Sequence, residues 1–161
     1  MEKINLMTKE EFIGKVGWVF EHSPWIGEKA WERLPLTSRE KLLEQMIAIV
    51  EESEKSLQLS LLRAHPDLGT RLKLTEASKK EQAGAGLDQL SKKEFAVFTS
   101  LNEAYVKKFE FPFIKAVKGQ SKDTILSAMK QRVTLNQEEE FAVALQEVYK
   151  IAGFRLNDII L

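Results

Sequence analysis

The chain has 161 residues, of which 43% are hydrophobic and 30% are charged, so we expect one soluble globular domain over residues 1–161. Lysine and arginine together number 24, as do aspartate and glutamate, and this balance favours neither nucleic acid nor a membrane surface as a partner. The absence of cysteine excludes disulfides, thiolate nucleophiles and zinc–thiolate sites.

Helical periodicity dominates the sequence, because apolar residues recur at spacings of three and four. Phe12, Val16 and Phe20 form one such stripe, and Phe141, Leu145 and Val148 belong to the longest. We predict about eight helices, at residues 8–21, 24–34, 38–52, 54–64, 76–83, 92–109, 122–133 and 137–160.

Helix start signals support these boundaries. Three positions match a capping box, in which a Ser or Thr is followed three residues later by Glu: Thr8 with Glu11, Thr37 with Glu40, and Ser91 with Glu94. Three further residues are N-cap candidates: Ser23 (ahead of Pro24), Ser121 and Asn136.

One stretch, at residues 110–119, departs from the helical pattern, and Pro112 interrupts it. The sequence contains no Asn-Gly hairpin signal and no sustained alternation of apolar and polar residues, so no strand is predicted. The expected fold class is all-α, as a single compact domain of about eight helices. The N-terminus has no apolar signal core, and no run approaches the roughly 18 apolar residues of a membrane span, so we expect a cytoplasmic location.

His65 is the first candidate for chemistry. Because it precedes Pro66, it should lie at the C-terminal end of the fourth predicted helix, where carbonyl groups favour a protonated imidazole. Such a group could act as a general acid, or it could be a capping histidine with no chemical role. His22 has no supporting constellation and is assigned to a surface or capping role. The two histidines lie far apart in the sequence, so no metal site is predicted.

Ser78, Glu81 and Gln82 are spaced to share one face of a short helix. This face could simply be solvated, or it could contact a small polar ligand rich in amide and ureido groups. Backbone groups of the non-helical stretch after Phe111 could bind the same ligand. Arg155 lies in an apolar helix, where an arginine usually has an anionic partner, either a buried carboxylate or a substrate.

Five segments carry a resemblance to a known family: EHSPWIGEKAW at residues 21–31, HPDLG at 65–69, EASKKEQAGAGLDQLSKKEF at 76–95, LNEAYVKKFEFPFIKAVKGQSK at 101–122, and ALQEVYKIAGFRLNDII at 144–160. Through them, nearly the whole chain resembles the 2-oxo-4-hydroxy-4-carboxy-5-ureidoimidazoline (OHCU) decarboxylases. The resemblance implies a decarboxylase of urate degradation that forms (S)-allantoin. It also implies an all-helical fold, no metal or organic cofactor, and a homodimer, and some members are fused to urate oxidase.

The resemblance also implies roles for particular residues. His65 and Glu81 would be catalytic. The ureidoimidazoline substrate would be bound by two groups of residues: the side chains of Pro66, Ser78, Glu81, Gln82 and Arg155, and the backbone of Phe113, Ile114, Lys115, Ala116 and Val117. The sequence departs from the family pattern in two places. Glu110 stands where the family often has glycine, and the connection from HPDL to Ser78 is shorter than in animal members.

A mechanism follows from these residue types. His65 would assist loss of CO₂ and route a proton to one face of the ring, while Glu81 fixes orientation and Arg155 and Gln82 hold developing charge. Two alternatives of other classes stay open. One is a helical protein-interaction module with a polar groove. The other is a cofactor-free hydrolase of the preceding ring-opening step, although a Ser–His–Asp signature is absent.

Overall fold

A computed structural model describes residues 1–69 and 74–161, and within them all regular structure is helical, which confirms the all-α prediction. The described residues form nine α-helices: α1 Glu2–Asn5, α2 Lys9–Val16, α3 Pro24–Trp31, α4 Arg39–Glu52, α5 Lys55–Arg63, α6 Glu76–Gly84, α7 Lys92–Phe109, α8 Lys122–Arg132 and α9 Gln137–Ile159. Part of the connection between Leu68 and Ser78, predicted to be short, lies outside the described residues. No helix in the described ranges is long and apolar enough to cross a membrane.

Two details of the predicted helices were wrong. The short α1 was not predicted, and the helix predicted at 8–21 ends at Val16, where a 3₁₀ turn over Gly17–Val19 replaces it. The turn packs closely against α3. A Cβ added to Gly27 of α3 would lie only 3.0 Å from the Cα of Gly17. Glycine at both positions therefore lets α3 approach the backbone of the turn.

The helix starts follow their local signals closely. Thr8 and Ser91 each form the predicted capping box with a glutamate three residues later, and Ser121 forms one with Thr124. Asn136 Oδ1 accepts a hydrogen bond from the Glu139 N–H at 2.9 Å, as its N-cap assignment predicts.

Two cap predictions need correction. Ser38, and not Thr37, is the N-cap of α4, because its Oγ accepts from the Lys41 N–H at 3.1 Å. Ser23 occupies the N-cap position before Pro24 but makes no side-chain cap, since its Oγ donates to the Glu21 carbonyl at 2.9 Å instead.

Residue contacts divide the chain into two compact units. The first unit comprises Met1–Ala64 and Val148–Leu161. Its core is built from the apolar faces of α2 to α5 and the end of α9, and its fully buried side chains include Phe12, Phe20, Ile26, Leu42, Met46, Leu61 and Leu62. The Arg39 guanidinium donates to the Ile160 carbonyl at 2.8 Å and so ties the chain end to α4. One domain over residues 1–161 stays a prediction.

The second unit comprises His65–Glu147 and contains most of the predicted site residues. An aromatic cluster around Tyr105 forms its core. The Tyr105 ring lies 4.6 Å from Phe109 and 5.4 Å from Phe113, centroid to centroid. Phe111 packs against the same tyrosine and against Phe141 of α9. The contacts of Tyr105 with Phe111 and Phe113 are edge-on, and such contacts stabilise a core beyond the area they bury.

Candidate functional site

The HPDLG segment, residues 65–69, begins directly beyond α5. That helix ends at Arg63 with Ala64 as its C-cap, so His65 follows the helix end as the His65-Pro66 sequence predicts. His65 is only 8% exposed, and Pro66 beside it is half-buried. His65 is therefore a buried histidine, and its chemical role stays a prediction.

Two buried amide side chains hold the end of this segment. Asn102 of α7 donates from Nδ2 to the Leu68 carbonyl at 2.9 Å, and the Gly69 N–H donates to Gln82 Oε1 at 3.0 Å. Gly69 has φ of +72°, in the left-handed region that favours glycine. The backbone of this turn is thus held by side chains from two different helices, α7 and α6. Gln82 was predicted from the sequence, whereas Asn102 was not.

The predicted polar face lies on α6. Thr75 caps this helix, because its Oγ1 accepts from the Ser78 N–H at 3.2 Å. Ser78 and Gln82 are buried and Glu81 is half-buried, so this face is not the solvated helical surface of the alternative interpretation. The Gln82 bond to Gly69 brings this face together with the HPDLG segment.

Residues 113–117 form the predicted non-helical segment. Four of the five are buried, and Lys115 is half-buried. Two basic groups hold the segment. Arg132 of α8 donates to the Ile114 carbonyl at 2.7 Å, and the Lys115 ammonium lies 3.5 Å from the Glu147 carboxylate of α9. The segment is therefore anchored through one carbonyl and one side chain.

The N–H groups of this segment are the more informative feature. Among residues 1–69 and 74–161, no group accepts a hydrogen bond from the N–H of Phe113, Ile114, Lys115, Ala116 or Val117. Buried N–H groups are nearly always paired, with protein, water or ligand. Some of these N–H groups are therefore available to bind a molecule with oxygen acceptors.

Glu110 lies just before this segment and has φ of +64° and ψ of +23° as the C-cap of α7. Its backbone is left-handed, a conformation that glycine adopts without strain. The position at which the family often has glycine is thus one where glycine is physically favoured. Glu110 adopts this left-handed conformation with a Cβ present.

Arg155 belongs to the first unit and has a buried carboxylate beside it. Its guanidinium lies 2.9 Å from Glu21 Oε2, and both side chains are almost completely buried. The same guanidinium nitrogen donates to the Val19 carbonyl at 3.3 Å. Of the two anionic partners considered for Arg155, the buried carboxylate is present within its own unit. Its binding of substrate stays a prediction.

A second buried pair was not predicted from the sequence. Arg132 donates from Nε to Glu140 Oε1 at 2.9 Å, and the Tyr105 hydroxyl donates to the same oxygen at 2.5 Å. Burial, and next the Glu140 carboxylate, raise the pKa of Tyr105 above its usual value, so the phenol stays a donor. The signal available in the sequence was weak, because Arg132 ends a mostly polar helix and Glu140 closes a run of three glutamates.

A cavity of about 510 Å³ opens beside the HPDLG segment in the second unit. Asp67 and Gly69 line one side, and Thr99 and Asn102 of α7 line another. Burial raises the pKa of Asp67. None of the predicted site residues is among those lining this cavity. Within the described ranges, no group of three or more His, Cys, Asp or Glu residues is placed to hold a metal ion.

Comparisons with known proteins agree with the motifs. The family model described as OHCU decarboxylase matches residues 5–157. A 2-oxo-4-hydroxy-4-carboxy-5-ureidoimidazoline decarboxylase from Halalkalicoccus jeotgali is 43% identical over 99% of this chain and 90% of its own length. A uric acid degradation bifunctional protein from a Bacillus species is 42% identical over 99% of this chain, which spans 32% of that protein.

A solved structure is similar as well. The crystal structure of an (S)-allantoin synthase shares 34% identity with this chain at a TM-score of 0.81, covering 99% of this chain. This chain spans 53% of that protein. A family match over nearly the whole sequence, together with relatives above 40% identity, is decisive: the chain belongs to the OHCU decarboxylase family.

Proposed function

We propose that this protein is the decarboxylase of urate degradation that converts 2-oxo-4-hydroxy-4-carboxy-5-ureidoimidazoline to (S)-allantoin and CO₂. Membership in the family and the printed names of its relatives support this activity. The reaction breaks a carbon–carbon bond, so the enzyme would be a lyase. Its substrate is small and rich in carbonyl and N–H groups, so the binding site should contain hydrogen-bond donors and acceptors that complement them.

The structural observation that carries the proposal is that the N–H groups of residues 113–117, four of them on buried residues, have no acceptor among residues 1–69 and 74–161. A segment of this kind fits the oxygen atoms of a ureidoimidazoline ring without requiring a charged side chain. The Gln82 bond to Gly69, which places the α6 face beside the HPDLG segment, supports the same proposal. Both features lie in the second unit.

The proposed chemistry begins with loss of the carboxylate. When the bond between the ring carbon and CO₂ breaks, its electron pair stays on the ring carbon and delocalises into the adjoining imine or carbonyl. N–H donors near the ring heteroatoms stabilise this charge. His65 then delivers or routes a proton to one face of the carbon, which sets the (S) configuration. Glu81 would orient the imidazole or a ureido N–H.

The remaining substrate contacts in the proposal are Pro66, Ser78 and Gln82. Arg155, whose guanidinium lies 2.9 Å from Glu21 Oε2, is included as well. The proposal also includes turnover without a metal or organic cofactor, a homodimer, a cytoplasmic location and a functional association with urate oxidation.

The test generates the substrate enzymatically from urate and follows both the rate and the chirality of allantoin formation. The uncatalysed reaction gives a racemate, so chirality separates enzyme from background. We expect the wild-type protein to give (S)-allantoin, and to do so equally after EDTA treatment and dialysis. His65→Asn should remain folded but lose about 100-fold or more of the rate, because asparagine cannot titrate.

His22→Asn is the matched control, since it removes the other histidine. His22 is exposed and has φ of +45°, a conformation that asparagine tolerates. This variant should keep wild-type activity. Near wild-type formation of (S)-allantoin by His65→Asn would show that His65 is not catalytic, and a racemic product from the wild type would refute the proposed function.

A further inference from the structure

Three buried side chains of the second unit form a connected polar network behind residues 113–117. Tyr105, Glu140 and Arg132 are 1%, 0% and 8% exposed, so each requires a partner inside the protein. Arg132 contacts Glu140 through Nε at 2.9 Å and through a terminal nitrogen at 2.5 Å. Tyr105 adds a third donor to the same carboxylate. The carboxylate is thus surrounded by donors, which fixes the guanidinium plane.

The other terminal nitrogen of Arg132 reaches the segment itself. It donates to the Ile114 carbonyl at 2.7 Å, and the guanidinium carbon lies 4.3 Å from the centre of the Phe113 ring. Arginine suits this arrangement because its planar fork can bind a carboxylate on one side and a carbonyl on another. A lysine ammonium is a point charge and cannot reproduce both directions at once.

The direction of these bonds matters for the segment. The network holds residue 114 by its carbonyl and residue 113 by its ring, and neither contact uses a backbone N–H. Arg132 therefore holds the backbone in place and leaves its N–H groups without an acceptor among the residues that the structure describes. If the backbone of a single residue becomes ordered only on binding, the binding constant falls by about tenfold. A segment that is already ordered in the free protein avoids this cost and binds a ligand more tightly.

We propose that Arg132, held by Glu140 and Tyr105, is a positioning residue that orders residues 113–117 for substrate binding. It acts through the segment and does not itself touch the substrate. The inference rests on the proposed function, because it assigns the open donors of the segment to the ureidoimidazoline ring. No motif in the sequence marks these three residues as part of the site.

Arg132→Lys is the principal test, because lysine keeps the charge opposite Glu140 but loses the second arm. We expect KM for the ureidoimidazoline to rise by about tenfold or more, with a smaller change in kcat. Independently of activity, hydrogen exchange at the amides of residues 113–117 should become faster in the free protein. Tyr105→Phe, which leaves the Ile114 bond in place, should raise KM less.

Ile125→Ala is the control for a general loss of stability. Ile125 is fully buried in the same helix, about 10 Å along the axis from Arg132. Removing its side chain should lower the melting temperature without raising KM. If both variants raise KM in proportion to their lost stability, Arg132 is a structural residue only.

The two proposals can fail separately. Wild-type KM and wild-type amide exchange in Arg132→Lys would overturn the positioning role while leaving the decarboxylase assignment intact. A wild-type protein that does not accelerate decarboxylation would refute the proposed function, and the positioning role would fall with it. Faster exchange together with unchanged KM would also overturn it, since the ordered segment would then contribute nothing to binding.

Discussion

Each of the two compact units contains a buried arginine–glutamate pair, and the two pairs differ in what else the arginine holds. In the first unit, Arg155 lies 2.9 Å from Glu21 and faces the carbonyl of Val19, on the segment that leads into Glu21. In the second unit, Arg132 binds Glu140 and also the carbonyl of Ile114. Arg155 holds a local chain turn, whereas Arg132 anchors a segment whose N–H groups have no acceptor within residues 1–69 and 74–161.

The difference shows why burial of a charge does not by itself identify a functional residue. A buried pair contributes little over a hydrophobic replacement, but removal of one partner strands the other charge. A single substitution in either pair should therefore destabilise the protein, whether or not the pair has a function. What separates them is whether the arginine also organises groups that could contact a ligand, and on that criterion Arg132 is the stronger candidate.

The largest expected effect comes from Arg155→Ala. Truncation removes the cation beside the Glu21 carboxylate, which stays buried. We therefore expect the free energy of unfolding to fall by about 3–5 kcal/mol. Chemical denaturation of the wild type and the variant measures this loss. The double variant Glu21→Leu with Arg155→Met should recover most of it, because a hydrophobic pair of similar volume needs no charge partner.

The double variant then decides the role of Arg155 in binding. If it is stable but has lost most of kcat/KM, Arg155 contacts the substrate as the family resemblance implies. A stable double variant with near wild-type kcat/KM would assign Arg155 to the scaffold and would leave Arg132 as the arginine that serves the site.

A smaller loss is expected from Tyr105→Phe, which removes one donor from Glu140 and leaves Arg132 in place. Hydrogen bonds to charged groups contribute about 1.5–3 kcal/mol to stability, and denaturation should show a loss of this size. The difference from wild type should shrink above about pH 10, because tyrosine ionises in the unfolded chain while the raised pKa of Tyr105 keeps the folded phenol neutral.

Tyr149→Phe is the matched control for this prediction. The Tyr149 hydroxyl is buried, and among the described residues it has no hydrogen-bond partner. Its removal should leave stability unchanged or raise it slightly. Equal losses from the two tyrosine variants would mean that the Glu140 bond contributes nothing specific.

The smallest effect is expected at Glu110, where the segment after α7 begins. Glu110→Gly should raise the free energy of unfolding by about 1 kcal/mol, because glycine adopts the left-handed C-cap conformation without a Cβ clash. Glu110→Ala keeps the Cβ and should not stabilise the protein. KM should be unchanged in Glu110→Gly, because glycine keeps the left-handed C-cap conformation of the turn; a raised KM would show that the Glu110 side chain contributes to the order of residues 113–117.

Local signals in the sequence were sufficient for most helix boundaries and for the position of His65. A capping box such as Ser91 with Glu94 connects groups three residues apart, so its geometry depends on the sequence of one turn. Pro66 restricts His65 in the same local way. Where two candidates stood side by side, local chemistry was not enough, and Ser38 caps α4 instead of Thr37.

The tertiary structure alone decided which polar residues are buried together. Glu138, Glu139 and Glu140 are alike in sequence, yet only Glu140 is buried, because Tyr105 and Arg132 meet it there. Asn102 reaches Leu68 across 34 residues of chain in the same way. Such partners come together only when helices pack, and the desolvation of each group is offset only by the others. The pattern of a single helix contains no information about partners on another helix, which is why Arg132 was not predicted from the sequence.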